Sequence, residues 1–285
     1  MKSVLAVDFG GTKTTIARVD EQGVVRDRQR TPAARALGDS VDQVARRAGD
    51  TAAVGIIVPG IYAAATGHAW CPNLWGPDEV PLWAALRERI AVPVVVDSDR
   101  SGYVLGEAWL GAARGLRDVV FVAIGTGIGV GILSGGRVLQ GAHGIAGAAG
   151  WFALDPAWND AYGATGCWEA ESAGPAIARH FGAADAATVV QAARDGDPRA
   201  LDALDRAARY CGMGIANLVS LLNPEAVVLG GGVVQGAGDL LLDRIRADVR
   251  RWAQPIAAAR CRIDVTQLGE DAGLFGAARL ALDAF

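Results

Sequence analysis

Three glycine-rich loops in the sequence have the composition of phosphate-binding turns. Asp8 precedes the loop Gly10-Gly11-Thr12-Lys13, the second loop is Gly125-Thr126-Gly127, and the third is Gly230-Gly231-Gly232. Glycine lets main-chain amides come close to an anion, because no side chain stands in the way. We therefore expect the first two loops to bind the phosphates of a nucleotide and the third to lie beside them. Taken alone, the first loop could also be an ordinary glycine hairpin, although the phosphate loop is the favoured interpretation.

The first loop differs from two common nucleotide-binding motifs. It leads into a strand and lacks the GxGxxG spacing of dinucleotide-binding folds, and it also lacks the GKS/T ending of a P-loop. Phosphate would repel the carboxylate of Asp8 unless a cation lay between them. We therefore expect Asp8 to hold Mg²⁺, through water, beside the nucleotide.

Asp99 is a candidate catalytic carboxylate at the end of a predicted strand. It follows the apolar run 92–96, which predicts a strand covered on both faces, and a carboxylate at the end of that strand could face a cleft. Phosphoryl transfer needs such a group to accept the proton of the attacking hydroxyl. A helix N-cap is the other interpretation, since Ser98 and Asp99 both suit that position, and the two roles are compatible. Asp97 is a weaker candidate.

The elements that must position these residues alternate between strands and helices. In the first half we predict strands at 3–7, 14–19, 24–25, 52–58 and 92–96 and helices at 40–48 and 81–90. In the second half we predict strands at 119–123, 129–134, 137–140 and 226–229 and helices at 167–181, 186–194, 198–222, 240–253 and 273–284.

The order of strands and glycine turns at residues 3–28 recurs at residues 119–140, which indicates an internal duplication. We therefore expect an α/β protein with two similar domains around a cleft. We place the N-terminal domain at 1–107, with helix 273–285 packing back onto it, and the C-terminal domain at 108–272.

Composition excludes several classes of protein. The chain has 285 residues, 51% of them hydrophobic, and a net charge of −4 without any basic run interleaved with aromatics, so we expect no nucleic-acid partner. The apolar start before Asp8 is too short for a signal peptide or a membrane span, so we expect a cytoplasmic protein with no membrane partner. The four cysteines lack CxxC spacing, which argues against a disulfide framework.

A series of motifs resembles the ROK family of sugar kinases and repressors over residues 4–280. In order they read DFGGTKT, PNLWG, VVVDSDRSGYVLGE, AIGTGIGVGI, GCWE and VVLGGGVV. The resemblance implies an actin-like ATPase (ribonuclease H-like) fold, Mg·ATP as phosphate donor, a hexose or N-acetylhexosamine as acceptor, and a homodimer. It assigns Asp99 as the base and Asn73 and Glu169 as contacts to the sugar. An exposed acid in the first turn of a helix is the alternative for Glu169.

The sequence departs from the family pattern around the sugar. Ser98 replaces the asparagine before the base, while Ala148 and Trp151 replace the glutamate and histidine of the GxxGExGH box. The zinc-binding loop has become 162–169, where one thiol survives, so we expect no structural zinc. Trp151 would make the acceptor pocket more apolar, together with Trp168 and Trp75. These changes favour an aminosugar or C7-cyclitol over glucose, with Ser98 and Trp151 among the substrate contacts.

Three other functions remain open at this point. A conventional glucokinase is the nearest alternative, because both phosphate loops and Asp99 are present. A catalytically silent sugar sensor would fit the altered pocket but not the retained loops. A repressor of the same family would carry a helix-turn-helix ahead of the first strand, which we expect to begin at residue 3.

Overall fold

The first group of elements forms a five-stranded sheet. The computed structural model describes residues 2–284, which divide into two compact units, the first made of 2–115, 138–146 and 270–284. Its strands are β1 (Ser3–Phe9), β2 (Lys13–Asp20), β3 (Val25–Pro32), β4 (Val54–Val58), β5 (Ile61–Ala63), β6 (His68–Trp70), β7 (Glu79–Val80) and β8 (Val94–Ser98). Its helices up to residue 115 are α1 (Leu37–Ala48), α2 (Pro72–Trp75), α3 (Leu82–Arg89) and α4 (Asp99–Leu110).

The order of the main sheet is β3-β2-β1-β4-β8, and β5, β6 and β7 form a separate small sheet. Strands β1 and β2 are antiparallel, whereas β4 is parallel to both β1 and β8. All five residues of β4 are buried, as expected for a central strand with both faces covered. Because β1 and β8 run in the same direction, Asp8 and Asp99 both lie at the carboxyl-end edge of this sheet.

The second unit contains residues 116–137 and 147–269. Its strands are β9 (Val119–Ile124), β10 (Ile128–Ser134), β11 (Arg137–Val138, of which Val138 belongs to the first unit), β12 (Ala226–Gly230) and β13 (Arg262–Val265). Its helices are α5 (Tyr162–Thr165), α6 (Cys167–Ser172), α7 (Gly174–Phe181), α8 (Ala186–Arg194), α9 (Pro198–Leu222), α10 (Gly232–Trp252) and α11 (Pro255–Arg260). A 3₁₀ turn covers Ala149–Trp151.

The second sheet repeats the topology of the first. Its order is β11-β10-β9-β12-β13, with β9 and β10 antiparallel and β12 parallel to both β9 and β13. Each pairing has its counterpart in the first sheet. The internal duplication inferred from the glycine turns is therefore present in the strand order itself.

The last helix, α12 (Ala272–Asp283), packs against β1, β4 and α4 of the first unit. The contact is close because glycines line it. A Cβ on Gly106 would lie 2.2 Å from the carbonyl oxygen of Ala272, and one on Gly276 would lie 1.9 Å from that of Gly102. Larger residues at these positions would force the two helices apart.

Two predicted helices differ from the observed ones. The predicted helix 167–181 is two helices, because the chain is extended at Ala173 and α7 begins with a proline in its first turn. Helix α10 begins at Gly232 rather than at residue 240, since its first turns are glycine-rich and carry little helical signal. Within residues 2–284, no helix is both long and apolar enough to cross a lipid bilayer.

Candidate functional site

The first glycine loop, which we expect to bind phosphate, is a tight turn between β1 and β2. The amide of Gly10 donates to the carbonyl of Lys13 at 2.9 Å, which closes the turn. Gly11 approaches the neighbouring helix α2, since a Cβ on it would lie 3.6 Å from Cβ of Asn73. The structure thus brings Asn73 beside the phosphate loop. Lys13 extends to an exposed ion pair with Glu270 at 2.7 Å, just before α12.

Asp8 is the last residue but one of β1, and its carboxylate lies in a crowded, acidic environment. Burial raises its pKa from 3.8 to about 7, and the charge of Asp99 adds to the increase while Lys13 opposes it. A Cβ on Gly273, in the first turn of α12, would lie 2.6 Å from Oδ2 of Asp8. A divalent cation bound beside this carboxylate would stabilise its ionised form.

Asp99 is the first residue of α4, directly after β8. Its Oδ1 accepts a hydrogen bond from the amide of Arg100 at 2.8 Å, and the hydroxyl oxygen of Ser98 lies 3.2 Å from it. The hydroxyl of Tyr103, one helical turn later, is 3.5 Å from Oδ2. Burial raises the pKa of Asp99 from 3.8 to about 6, although Arg100 and the hydrogen bonds lower it. The group is therefore ionised at neutral pH yet basic enough to accept a proton.

Arg100 and Tyr103 did not emerge from the sequence as site residues. Arg100 donates from Nε to the hydroxyl of Ser98 at 3.1 Å, and the pKa of Tyr103 is raised by burial and by the charges of Asp99 and Asp8. For Tyr103 the spacing of four residues from Asp99 was the available signal, because position i+4 of a helix lies on the same face as position i.

Asp97 and Ser98 use their polar atoms within the protein. Asp97 accepts from the amide of Ser98 at 2.7 Å and from the side-chain amide of Gln140 at 2.8 Å. The buried Ser98 hydroxyl donates to the carbonyl of Gly60 at 2.8 Å. These bonds fix the end of β8 and hold segment 138–146 against it. A contact of Ser98 with substrate stays a prediction.

The second and third glycine loops meet in the second unit. The carbonyl of Gly125 accepts from the amide of Gly174 at 2.7 Å, and a Cβ on Gly125 would lie 3.8 Å from the amide nitrogen of Gly232. A cavity of about 560 Å³ opens beside them, with Thr126 and Asp185 also on its walls. A cavity of this size accommodates a nucleoside-sized ligand.

The turn before α10 depends on Gly231. It has φ of +91°, and a Cβ there would lie 2.4 Å from the carbonyl oxygen of Ile124 at the end of β9. Gly230 is similarly constrained, because a Cβ on it would lie 2.4 Å from the ring of Phe121. The glycine run therefore lets the amino end of α10, where amides are unpaired, come up to the second loop.

Glu169 lies on the short helix α6 next to the second loop. Its Oε2 accepts from the amide of Ile128, the first residue of β10, at 2.7 Å. Burial raises the pKa of Glu169, and this hydrogen bond lowers it. Trp151 lies nearby on the 3₁₀ turn and is 57% exposed, so its indole is available to a ligand. Gly150 packs directly on the side chain of Glu169, since a Cβ there would be 3.2 Å from it.

A buried polar cluster holds the loop that replaces the zinc-binding pattern. The hydroxyl of Tyr162 donates to Glu171 at 2.8 Å, and Arg206 of α9 binds the other carboxylate oxygen at 2.6 Å. His180 is 3.4 Å from the same oxygen, and its pKa is lowered by burial and by Arg206. Because Glu171 and Glu169 share helix α6, the cluster also fixes the backbone that carries Glu169.

One tryptophan assigned to the acceptor pocket is not there. Trp168 is fully buried in the core of the second unit, where it stacks on Phe152 at a centroid distance of 6.0 Å, so the prediction that it lines a substrate pocket is wrong. Burying a large indole among apolar side chains stabilises the fold, whereas leaving it exposed at a pocket does not. Trp75 is partly buried, and its Nε1 donates to the Ser40 hydroxyl at 3.0 Å.

The duplicated sheets and the glycine loops agree with comparisons to known proteins. The sequence matches the ROK family over residues 4–284. The chain belongs to the ROK family. It is 32% identical to a glucokinase of Streptomyces coelicolor, over 99% of this chain and 98% of the relative. It is 33% identical to an N-acetylmannosamine kinase of Shigella flexneri, over 98% of each chain.

A solved structure supports the architecture of this ROK protein. A ROK family glucokinase from Streptomyces griseus, in complex with glucose and AMPPNP, superposes with a TM-score of 0.80 at 31% identity, over 99% of both chains. The family resemblance read from the motifs is therefore confirmed. The fold is the actin-like ATPase fold that ROK sugar kinases share, as predicted.

Proposed function

We propose that this ROK protein is an ATP-dependent kinase that phosphorylates a primary hydroxyl of a sugar or sugar-like small molecule. The observation that carries the proposal is the state of Asp99. It stands at the carboxyl end of β8, its Oδ1 accepts a hydrogen bond from the amide of Arg100, and its pKa is about 6. A carboxylate with these properties can take the proton of a hydroxyl at neutral pH.

The donor in this proposal is ATP. We assign its phosphates to the loops Gly10-Gly11-Thr12-Lys13 and Gly125-Thr126-Gly127, and its adenosine to the cavity of about 560 Å³ beside Gly230-Gly231-Gly232. The complex of the Streptomyces griseus relative with AMPPNP supports this choice. Amides freed at glycine turns and at the start of α10 would bind the phosphate oxygens.

Mg²⁺ fits the carboxylate of Asp8. Its pKa of about 7 reflects burial and the nearby charge of Asp99, both of which disfavour the ionised carboxylate. A hard cation bound beside it would stabilise the ionised form. In this role Asp8 would hold the ion through water, and the ion would offset the negative charge of the phosphates when bound. Asp8 therefore serves nucleotide binding, while Asp99 serves the acceptor.

The acceptor in this proposal contacts Asn73, Ser98, Glu169 and Trp151. Relatives act on glucose and on N-acetylmannosamine by their names, so family membership alone leaves the sugar open. Ala148 and Trp151 replace two polar residues of the family pattern, and each lost hydrogen bond to a substrate hydroxyl is worth on the order of 1 kcal/mol. We therefore propose an aminosugar or C7-cyclitol rather than glucose as the acceptor. By analogy with the family, we also propose that the protein is a cytoplasmic homodimer.

The test is an assay of ADP release from Mg·ATP with glucose, mannose, N-acetylmannosamine, 3-amino-3-deoxyglucose and C7-cyclitols. Turnover of an aminosugar or cyclitol well above that of glucose supports the proposal, and preferred turnover of glucose replaces it by a conventional glucokinase. Silence with every acceptor would favour a sugar sensor.

The role of Asp99 has its own variant. Asp99→Asn should lower turnover by roughly two to four orders of magnitude, the range for a general base, and leave ATP affinity nearly unchanged. Asp97→Asn is the matched control, because both oxygens of Asp97 are bonded within the protein and its loss should cost much less activity. Retained turnover in Asp99→Asn would contradict the assignment.

A further inference from the structure

A second large pocket lies in the first unit, on the face of the sheet that α1 covers. Its volume is about 910 Å³, and its walls come from α1 and from strands β2 and β3. Leu5 and Ile16 form an apolar floor. Pockets of a few hundred to about 1,000 Å³ are the size that small-molecule ligands occupy in proteins. None of the residues assigned to the kinase site contributes to this pocket.

The walls of this pocket are strongly basic. Arg18, Arg28, Arg46 and Arg47 line it, against a single carboxylate, Asp27. Guanidinium groups present several donors in a planar fork that matches the oxygens of a phosphate. A concentration of positive charge of this kind attracts an anion.

The arginines differ in whether their charge is already neutralised. Arg18 pairs with Asp27 and with Asp50, and Arg28 pairs with Asp271. Arg46 and Arg47 bond only to main-chain carbonyls, of Asp42 at 3.1 Å and of Asp27 at 3.4 Å, and neither has an ion pair anywhere in residues 2–284. Two adjacent charges on α1 are thus available for a phosphate.

Gln43, one turn before Arg46 and Arg47 on α1, adds a further requirement on the ligand. Its side chain lines the pocket, and its side-chain oxygen is turned into the protein, buried and without a hydrogen-bond partner among the described residues. A buried acceptor without a donor is costly, typically about 1–3 kcal/mol. If the Gln43 amide turned toward the pocket, a ligand hydroxyl would satisfy this oxygen.

We propose that this pocket binds a phosphorylated sugar or polyol. Arg46 and Arg47 bind the phosphate, Gln43 accepts a hydrogen bond from a hydroxyl, and the carbon skeleton lies toward Leu5 and Ile16. Each part of the ligand has a group of matching chemistry in the pocket. The site is separate from the acceptor and nucleotide sites of the proposed kinase.

The experiment is calorimetric titration of the full chain with glucose 6-phosphate in the presence of saturating Mg·AMPPNP and of the acceptor that the ADP-release assay identifies as preferred, so that the proposed kinase site is occupied. The wild type should bind one further molecule per chain. Arg46→Ala/Arg47→Ala should weaken this binding about ten-fold or more, since two charge-assisted contacts are lost. Gln43→Met should weaken it less, because one neutral hydrogen bond is lost.

The matched control is Arg250→Ala/Arg251→Ala, which removes the same charge from an exposed pair at the end of α10. It should bind as the wild type does. Absence of binding to the wild type, or equal affinities of the wild type and Arg46→Ala/Arg47→Ala, would overturn the proposal, as would equal weakening in the control. Because the comparison rests on residues outside the kinase site, it stands whether or not kinase activity is found.

Discussion

The carboxylate of Glu169 is bonded to the amide of Ile128 at 2.7 Å, so the acid proposed to contact the acceptor is attached to the loop proposed to bind phosphate. Ile128 is the first residue after Gly127, and Gly127 itself has no space for a side chain on this side. A Cβ there would lie 2.6 Å from Oε2 of Glu169. Any change in the loop is therefore transmitted to the acceptor contact.

Gly127→Ala should displace Glu169 and raise the KM for the acceptor about ten-fold, corresponding to a lost charge-assisted hydrogen bond. Steady-state kinetics with the preferred acceptor will measure it. Gly38→Ala is the control, because a Cβ at that helical position meets nothing within 4 Å. An unchanged acceptor KM in Gly127→Ala, with folding intact, would contradict the role of Glu169.

The pH dependence of kcat/KM should follow the two raised carboxyl pKa values. Asp99 must be ionised to accept a proton, so activity should fall as pH drops through about 6. Asp8, with a pKa of about 7, must be ionised to hold Mg²⁺, which competes with its proton. Raising the Mg²⁺ concentration should therefore move the acid limb from near 7 toward 6. If the pH of the acid limb did not change with Mg²⁺ concentration, this result would argue against Asp8 as the metal-binding group.

Asp99→Asn should be more thermostable than the wild type at pH 8 and close to it at pH 4. The pKa of Asp99 in the folded state, about 6, lies above its ordinary value of 3.8. The folded state therefore becomes less stable as pH rises from about 3.8 to about 6. Asparagine stays neutral at every pH and removes this loss. Tm measured across pH 4–8 will test it.

Asp20→Asn provides a control of opposite sign for that experiment. Hydrogen bonds from the amides of Val24 and Gln22, together with Arg26, lower the pKa of Asp20, and the bond from Val24 has the largest effect. Its contribution to stability is present above the unfolded pKa and is lost as pH falls through the folded one. This variant should therefore be less stable than the wild type at pH 8.

Equal curves of Tm against pH for Asp99→Asn and the wild type would mean that the ionised form of Asp99 is not disfavoured in the folded state.

Arg206→Met should destabilise the second unit because it leaves the buried carboxylate of Glu171 without its cation. We expect a loss of about 1–3 kcal/mol in the free energy of unfolding, measured with urea. The acceptor KM should rise as well, since Glu171 and Glu169 share α6. Arg209→Met, which breaks an exposed pair with Asp205, should change stability by less than about 1 kcal/mol. Similar losses in both variants would mean that the cluster has no special role.

The sequence predicted best those elements whose ends carry their own signals. Helix α9 was placed at its observed bounds because Asp197 caps it, accepting from the amide of Arg199 at 2.8 Å, and Pro198 and Asn223 mark its ends. The duplicated glycine turns likewise indicated both sheets. These features are local, so they can be read from neighbouring residues alone.

Long-range contacts account for what could not be predicted. The burial of Trp168 depends on α9, where Gly214 leaves room for the indole, 46 residues further along the chain. The attachment of segment 138–146 to the first unit rests on the bond between Gln140 and Asp97. The amino end of α10 contains too many glycines for a periodic pattern to appear before residue 240.

The position of α12 has a consequence for synthesis. The first unit contains the earliest strands of the chain, yet its core is completed by the last helix, whose Leu274 and Ala277 are buried against β1 and β4. The ribosome makes the chain from the amino end, so this unit cannot finish folding while α12 is still in the exit tunnel. The residues of the second unit end at 269, so all of them leave the tunnel before α12 does. Asp8 therefore acquires its final surroundings only after α12 has left the tunnel.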